Sequence, residues 1–238
     1  MAQPLSPNDR LVLSRVFESH PAGSLSKSLV DPELPTTSRM NISPTILEKL
    51  QSQEHSIIST CGGTSVSAET LKQAIDQLTD LIHSHPTYSS AYNNRAQVLR
   101  LLYGDDLYGE KVPSTTLWND LCTAIRLELP EQPYRKVCEF QARVLRAGYA
   151  QRGFLTWKAT KRAKNGSVIA DNLPEELNGL TQSEMEDRAR ADLELAGRYG
   201  DQEAMKMAVS ANPYARLCGI IVQEAMKVEI EKMRGGTE

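Results

Sequence analysis

The feature that most constrains this chain is a spacing that returns. Ala74, Leu78 and Leu81 stand at offsets of 0, +4 and +7, and the same interval recurs at Leu117, Leu121 and Ala124 and again at Ala189, Leu193 and Ala196. That interval places small and apolar side chains on one helical face. A small residue precedes each set: Gly62, then Ala96 34 residues later, then Gly153. Tyr92 and Tyr149 hold a matching aromatic position four residues ahead of Ala96 and Gly153. Helix pairs that recur at about 34 residues cannot bury an apolar face alone, so at least three must stack for a continuous core. Pro86 closes the first unit.

Helical spacing dominates from Thr45 onward, which predicts an all-α fold. The predicted helices cover residues 43–59, 67–83, 89–103, 114–128, 131–164, 183–198, 201–210 and 213–233. Residues 104–113 and 165–182 are polar, turn-rich insertions between them and are expected as surface loops, with Asn165-Gly166 and Pro174 as breakers. Ahead of the repeats, Ser6 as cap and Pro7 at the first helical position predict a short helix whose stripe is Leu13, Val16 and Phe17. Pro21, Gly23, Pro32, Pro35 and Pro44 then mark a tether. The expected organisation is an amino-terminal helix (1–19), a linker (20–44) and a repeat domain (45–238). The domain has units at about 55–88, 89–130 and 131–200 and carboxy-terminal capping helices over 201–233. In the last of these, Asn212 caps and Pro213 begins a helix that covers the open end of the stack.

Composition removes several functional classes. With 238 residues the chain buries a core without disulfides or metals. Its 27 Lys and Arg against 30 Asp and Glu offer no basic surface for counterion release, so nucleic acid is not the expected partner. Cys61, Cys122, Cys138 and Cys218 form no Cys-x-x-Cys pair and fit reduced core thiols of an intracellular protein better than a zinc site. No apolar run approaches the roughly 20 residues that span a bilayer, and a soluble, cytoplasmic protein without membrane partners is expected. His83 and His85 stand two apart and so share no helical face, and His20 and His55 are isolated. No nucleophile–base pair, metal-ligand set or cofactor loop assembles from the sequence, so neither catalysis, metal nor cofactor is expected.

A family resemblance rests on particular blocks. Ala91, Tyr92, Asn93, Asn94, Arg95, Ala96 and Gln97 form one; Gln151, Arg152 and Gly153 a second; Asn212, Pro213, Tyr214 and Ala215 with Leu217 and Cys218 a third. With Pro7, Asn8, Asp9, Leu13 and Phe17 at the start, they resemble the tetratricopeptide repeat protein 36 family over most of the chain. The two insertions and a longer amino-terminal linker depart from it. The resemblance implies a tetratricopeptide-repeat α-solenoid of about three helix–turn–helix units, with an amino-terminal helix and a carboxy-terminal capping helix. It implies a non-enzymatic adaptor, with heat-shock chaperone binding and a link to tyrosine breakdown among its roles.

The candidate partner-binding residues are Asn93, Asn94, Arg95, Gln97 and Arg152, on first helices of the units, which line the groove in this architecture. Amide and guanidinium donors suit a peptide carboxylate, which accepts several hydrogen bonds at once. Asn94 matches one position of the superfamily's clamp on a peptide's terminal carboxylate. Ser56, Thr60, Ala147 and Gln151 occupy the other four without the Lys, Asn and Arg expected there, and Arg146 and Arg152 stand one residue aside. Asn94 and Arg95 equally suit contacts to neighbouring helices. Trp157, Lys158, Lys161, Arg162 and Lys164 make a basic patch that suits a solvated helix end or an acidic partner. Two functional readings remain: an adaptor that takes a peptide or helix of a client or chaperone in its groove, and a scaffold whose groove is filled by its own terminal helix.

Overall fold

The computed structural model describes residues 28–63, 65–162 and 171–211. The expected amino-terminal helix and the helix from Pro213 lie outside the described residues. Within them are α1 (Pro44–Ser59), α2 (Ala68–Ser84), α3 (Ser89–Tyr103), α4 (Ser114–Glu128), α5 (Glu139–Thr160), α6 (Gln182–Arg198) and α7 (Gln202–Ala211). No strand forms among the described residues; the one extended pairing is an isolated parallel bridge between Val30 and Val137.

Local chemistry sets the boundaries. Pro44 opens α1 behind Ser43. Ser67 caps α2, its Oγ accepting the Thr70 N–H at 3.1 Å. Thr181 and Glu184 form a reciprocal capping box at α6. Gly104 ends α3 at φ 90°, and Gly200 turns the chain from α6 into α7 at φ 103°. The helix predicted over 131–164 begins only at Glu139. Pro130 forces Leu129 into extended backbone, and Tyr134 then adopts φ 61°, so residues 129–138 form a connector instead of a first turn.

The helices stack as pairs α1–α2, α3–α4 and α5–α6, and α7 packs on α6. Each packs mainly on its neighbours in sequence, while α3 also meets α5. Three apolar clusters run along the stack. Leu47, Leu50, Leu78 and Phe140 belong to the first, Leu99, Leu117, Leu121 and Leu155 to the second, and Leu145, Tyr149, Leu193 and Tyr199 to the third. The repeated small positions earn their place by proximity: a Cβ on Gly153 would lie 2.9 Å from Leu193 Cγ and 3.1 Å from the Ala189 carbonyl. Gly148, which the spacing did not single out, is equally tight, at 2.8 Å from Ile125 Cγ1 and 3.1 Å from Asn93 Oδ1.

Gly62 corrects the register assigned to the first unit. It sits in the turn after α1, exposed, and a Cβ there would meet only the Ser59 carbonyl at 3.6 Å. The first helix of this unit lies upstream, where Leu47, Leu50 and Ile57 supply its buried face.

The insertions contribute to the core. Leu107 and Val112 from one, and Leu173 and Leu177 from the other, are buried in the middle cluster.

The stretch expected to be a tether is fastened down over its described part. Leu29 N–H donates to the Arg198 carbonyl, Val137 N–H to the Leu29 carbonyl and Asp31 N–H to the Val137 carbonyl, each at 2.9 Å. Further on, Ser38 Oγ and Arg39 N–H both donate to the buried carboxylate of Glu128 at 2.8 Å. Cys138 Sγ donates to the Thr37 carbonyl at 3.2 Å. Residues 28–43 thus form a strap across the ends of α4, α5 and α6.

Candidate functional site

Two guanidinium groups proposed for partner binding are committed to holding helices together. Arg95 on α3 donates to both oxygens of Asp120 on α4, from Nε at 2.8 Å and Nη2 at 2.7 Å, and Nη1 reaches Thr79 Oγ1 at 3.0 Å. Donating those bonds to Asp120 raises the Arg95 pKa. Arg152 on α5 repeats the arrangement on Asp192 of α6, with both contacts at 2.7 Å. Burial works against the Arg152 charge, yet Asp192 more than offsets it and the pKa is raised. Arg95 and Asp120 each stand one residue before Ala96 and Leu121, as Arg152 and Asp192 stand before Gly153 and Leu193. The bidentate pair is therefore a repeat-equivalent lock between the two helices of a unit.

Asn93 is also turned inward. It is buried, and its Nδ2 donates to the Val144 carbonyl on α5 at 2.8 Å, while Gln151 Nε2 donates to the Asn93 carbonyl at 3.4 Å. Of the five candidates, Asn94 is half-buried and Gln97 exposed, one helical turn apart on α3.

Asn94 lines a cavity of about 230 Å³ enclosed by α1, α3 and α5, with Gln51, Glu54, His55 and Ile58 on one side, Ser90 and Asn93 beneath, and Arg143, Val144 and Ala147 opposite. Glu54 is the residue that sequence reasoning missed. Buried on α1, its Oε2 accepts from Tyr88 Oη at 2.7 Å and Ser90 Oγ at 2.9 Å. Burial pushes the Glu54 carboxyl above the usual carboxylate range, against the lowering influence of Tyr88, Asn94, Ser90 and the Arg143 charge. Glu54 Oε1 and Asn93 Oδ1 are buried with no hydrogen-bond partner among the described residues. Arg143 stands exposed at the rim with its guanidinium 5.6 Å above the Phe140 ring, which in turn stacks on Tyr88.

A second buried carboxylate, Glu128, joins the strap to the repeats. Ser89 Oγ donates to it at 2.7 Å beside Ser38 and Arg39. Successive serines at the start of α3 therefore serve two different glutamates: Ser89 reaches Glu128 on α4, and Ser90 reaches Glu54 on α1.

Two cations of the basic patch near the end of α5 are paired with aspartates. Lys158 pairs with Asp105 at 3.4 Å, Arg162 with Asp106 at 2.6 Å, and Lys161 lies over the Trp157 ring at 3.9 Å. Lys164 lies outside the described residues. Both aspartates come from the 104–113 insertion, which thereby reaches from the second unit to the third. Cys61 and Cys122 are partly buried and Cys138 is buried, all as free thiols, while Cys218 lies outside the described residues. Burial raises the Cys122 pKa even with Arg152 Nη1 at 3.6 Å from its sulfur. Among the described residues no helix is long and apolar enough to cross a membrane.

Paired helices with repeat-equivalent small positions and interhelical locks define a tetratricopeptide-type α-solenoid. The chain is 36% identical to the L-tyrosine degradation gene cluster protein hmgX of Aspergillus fumigatus, over 95% of this chain and 94% of that protein. It is 27% identical to tetratricopeptide repeat protein 36 of Xenopus tropicalis over 93% of this chain and 87% of that one. The human protein of the same name is 26% identical, over 93% and 94%. The chain belongs to the family that these proteins represent. No family model matches it, and no solved structure does.

Proposed function

We propose that this protein is a non-enzymatic, cytoplasmic adaptor of tyrosine catabolism that holds a segment of a partner protein against the face made by α1, α3 and α5. The observation that carries this reading is the cavity beside Asn94, lined by the buried Glu54 carboxylate, the amides of Asn93 and Asn94 and the exposed Arg143 guanidinium. Repeat proteins use the concave surface created by stacked units for binding. The relative named for an L-tyrosine degradation gene cluster supports a partner among the enzymes of that degradation. A heat-shock chaperone tail is the less favoured partner, because Ser56, Thr60, Ala147 and Gln151 lack the charges that hold a terminal carboxylate. The partner-binding residues are accordingly Asn94 and Gln97 with His55 and Arg143, while Asn93, Arg95 and Arg152 set the helices that present them.

The test is binding of the purified full chain to each purified enzyme of tyrosine degradation, and separately to an acidic chaperone-tail peptide, using wild type and the Asn94→Ala/Arg143→Ala variant. One enzyme should bind the wild type and lose at least about tenfold in affinity with the variant, a difference of about 1.4 kcal/mol, at an unchanged melting temperature. Equal affinity of both proteins for that enzyme would move the interface elsewhere.

A further inference from the structure

A second cleft, of about 410 Å³, opens between the strap and the connector that precedes α5, and it shares no lining residue with the cavity beside Asn94. Arg39, Arg135 and Lys136 line it against one carboxylate, Glu131, so its lining is net positive in a chain of formal net charge -3. The Glu131 side chain is 86% exposed and meets Arg39 at 3.3 Å. Arg135 and Lys136 are exposed and form no salt bridge among the described residues. Asp31, Glu33 and Glu139 of the same segments are not in the lining, and Glu128 behind Ser38 is buried and saturated by three donors. Exposed cations alone are ordinarily just solvated, but these have apolar company. Of the eight large apolar side chains exposed among the described residues, Leu34, Met40, Leu129 and Tyr134 stand in these two segments. Leu34 is in the lining, and the other three adjoin the lining residues Arg39, Pro130 and Arg135 in the chain. Exposed apolar side chains scattered singly need no explanation, whereas gathered ones mark interaction sites. The walls are also fixed in advance, by the Cys138 thiol on the Thr37 carbonyl and by Ser38 and Arg39 on Glu128. Asn41 and Tyr134, one in each segment, are the non-glycine residues with positive φ among the described residues, at 55° and 61°. Such backbone persists where the surrounding structure over-determines it, and it gathers at ligand-binding surfaces.

We infer that this cleft docks a segment of a partner protein that carries both carboxylate and apolar side chains. Its carboxylates meet Arg135 and Lys136, which have no competing anion, and one takes the place of the exposed Glu131 on Arg39. Its apolar side chains cover Leu34 and the exposed residues beside the cleft. Arginine, methionine and aromatic residues are the types enriched where proteins meet. A small free anion would use the cations and leave the apolar residues uncovered, and a basic segment would be repelled. Walls already held in place lose little freedom on binding, which favours affinity. This site lies outside the α1–α3–α5 face and does not depend on what that face binds. Two separate surfaces give one chain the means to join two proteins.

The experiment is selection of a phage-displayed random peptide library on the full chain, with peptides that also hold the Arg135→Ala/Lys136→Ala variant removed. Fluorescence anisotropy then gives the affinity of the leading synthetic peptide for each protein. Both substitutions are at exposed positions, and thermal unfolding checks that the fold is kept. Leu34→Ser, exposed on the strap, tests the apolar contact and serves where the double variant unfolds. The peptides expected combine Asp or Glu with Leu, Met or aromatic residues, and the double variant weakens them by about tenfold or more. Leu34→Ser should weaken them as well, and so should serine in place of the peptide's own apolar residues. Lys49→Glu, at an exposed position on α1, changes the net charge by the same amount as the double variant and should leave the affinity unchanged. No peptide that distinguishes wild type from the double variant, or enriched peptides without acidic residues, would overturn the inference. An equal loss with Lys49→Glu would reduce it to general charge attraction and overturn it too. A serine-substituted peptide that binds as tightly, or one displaced by inorganic phosphate at the same concentration, would make the cleft a small-anion site instead. Loss of the peptide in Asn94→Ala/Arg143→Ala alone would move it to the α1–α3–α5 face. Failure of the enzyme-binding test of that face would leave this result untouched.

Discussion

Arg152 grips Asp192 through two hydrogen bonds of 2.7 Å, and one repeat earlier Arg95 grips Asp120 in the same geometry. Equivalent positions in successive units thus hold the same ion pair, each joining the first helix of a unit to the second. On the second helix of the first unit, neutral Gln77 stands before Leu78 where Asp120 and Asp192 stand before Leu121 and Leu193, so this unit has no aspartate at that place to form such a lock.

Breaking one partner of a lock strands the other in a largely buried position. The Arg95 side chain is 15% exposed and that of Asp120 4%. Arg95→Ala should therefore destabilise the fold by about 3–5 kcal/mol, measured by urea denaturation. Adding Asp120→Ala should recover part of that loss, and the double-mutant cycle reports the coupling. A loss of partner binding at unchanged stability would instead return Arg95 to the groove.

The two glycines first assigned to one repeat position should behave in opposite ways. Gly153→Ala drives a methyl group against Leu193 and the Ala189 carbonyl and should cost about 1–3 kcal/mol. Gly62→Ala meets only the Ser59 carbonyl, at an ordinary contact distance, and should stay within about 0.5 kcal/mol of wild type. Thermal unfolding of both variants checks the corrected register.

Glu54 gives a pH signature. Its carboxyl titrates above the ordinary value of 4.5 in the folded protein because burial disfavours the charge. A raised carboxyl pKa favours folding while the group is protonated, and that contribution is lost as pH rises through the folded value. Glu54→Gln mimics the protonated state, so it should gain stability relative to wild type at neutral pH, and this gain should shrink as pH falls through the raised folded value and be gone below 4.5. A gain that stays constant with pH would mean that Glu54 titrates alike in the folded and unfolded chains.

Removing Glu128 should loosen the strap. Glu128→Ala leaves Ser38, Ser89 and the Arg39 N–H without their acceptor and should cost at least about 4 kcal/mol, since each of the three hydrogen bonds to a charged group contributes about 1.5–3 kcal/mol. Limited trypsin digestion should then cut after Arg39 faster than in wild type. Unchanged cleavage would show that Leu29, Val137 and Cys138 hold the segment without it.

The apolar positions were legible in the sequence because each recurs on a helical face: Leu78, Leu121 and Leu193 are all at most 1% exposed. The charged members of the same faces were harder to see. Glu54 continues the stripe of Leu47, Leu50 and Ile57 at helical spacing, and Glu128 continues that of Leu117, Leu121 and Ala124. A carboxylate in register with buried leucines is the signal that could have found both, but its partners come from other elements. Tyr88 and Ser90 reach Glu54 from the start of α3, and Ser38 reaches Glu128 from the strap. For the same reason the arginines read as groove residues: their spacing places them on first helices, while only the packed structure brings an aspartate opposite each. Prolines between residues 28 and 43 suggested a free tether, although three backbone hydrogen bonds around Leu29, Asp31 and Val137 dock it.

Those bonds change how the molecule can come apart. A solenoid held only by contacts between neighbouring units can unravel one unit at a time from an end. Here Leu29, ahead of the first unit, is bonded to Arg198 at the close of the third and to Val137 between the second and third. The strap turns a linear array into a closed loop of contacts, so losing the last unit also releases the segment that precedes the first, and the described repeats are tied into one cooperative unfolding event.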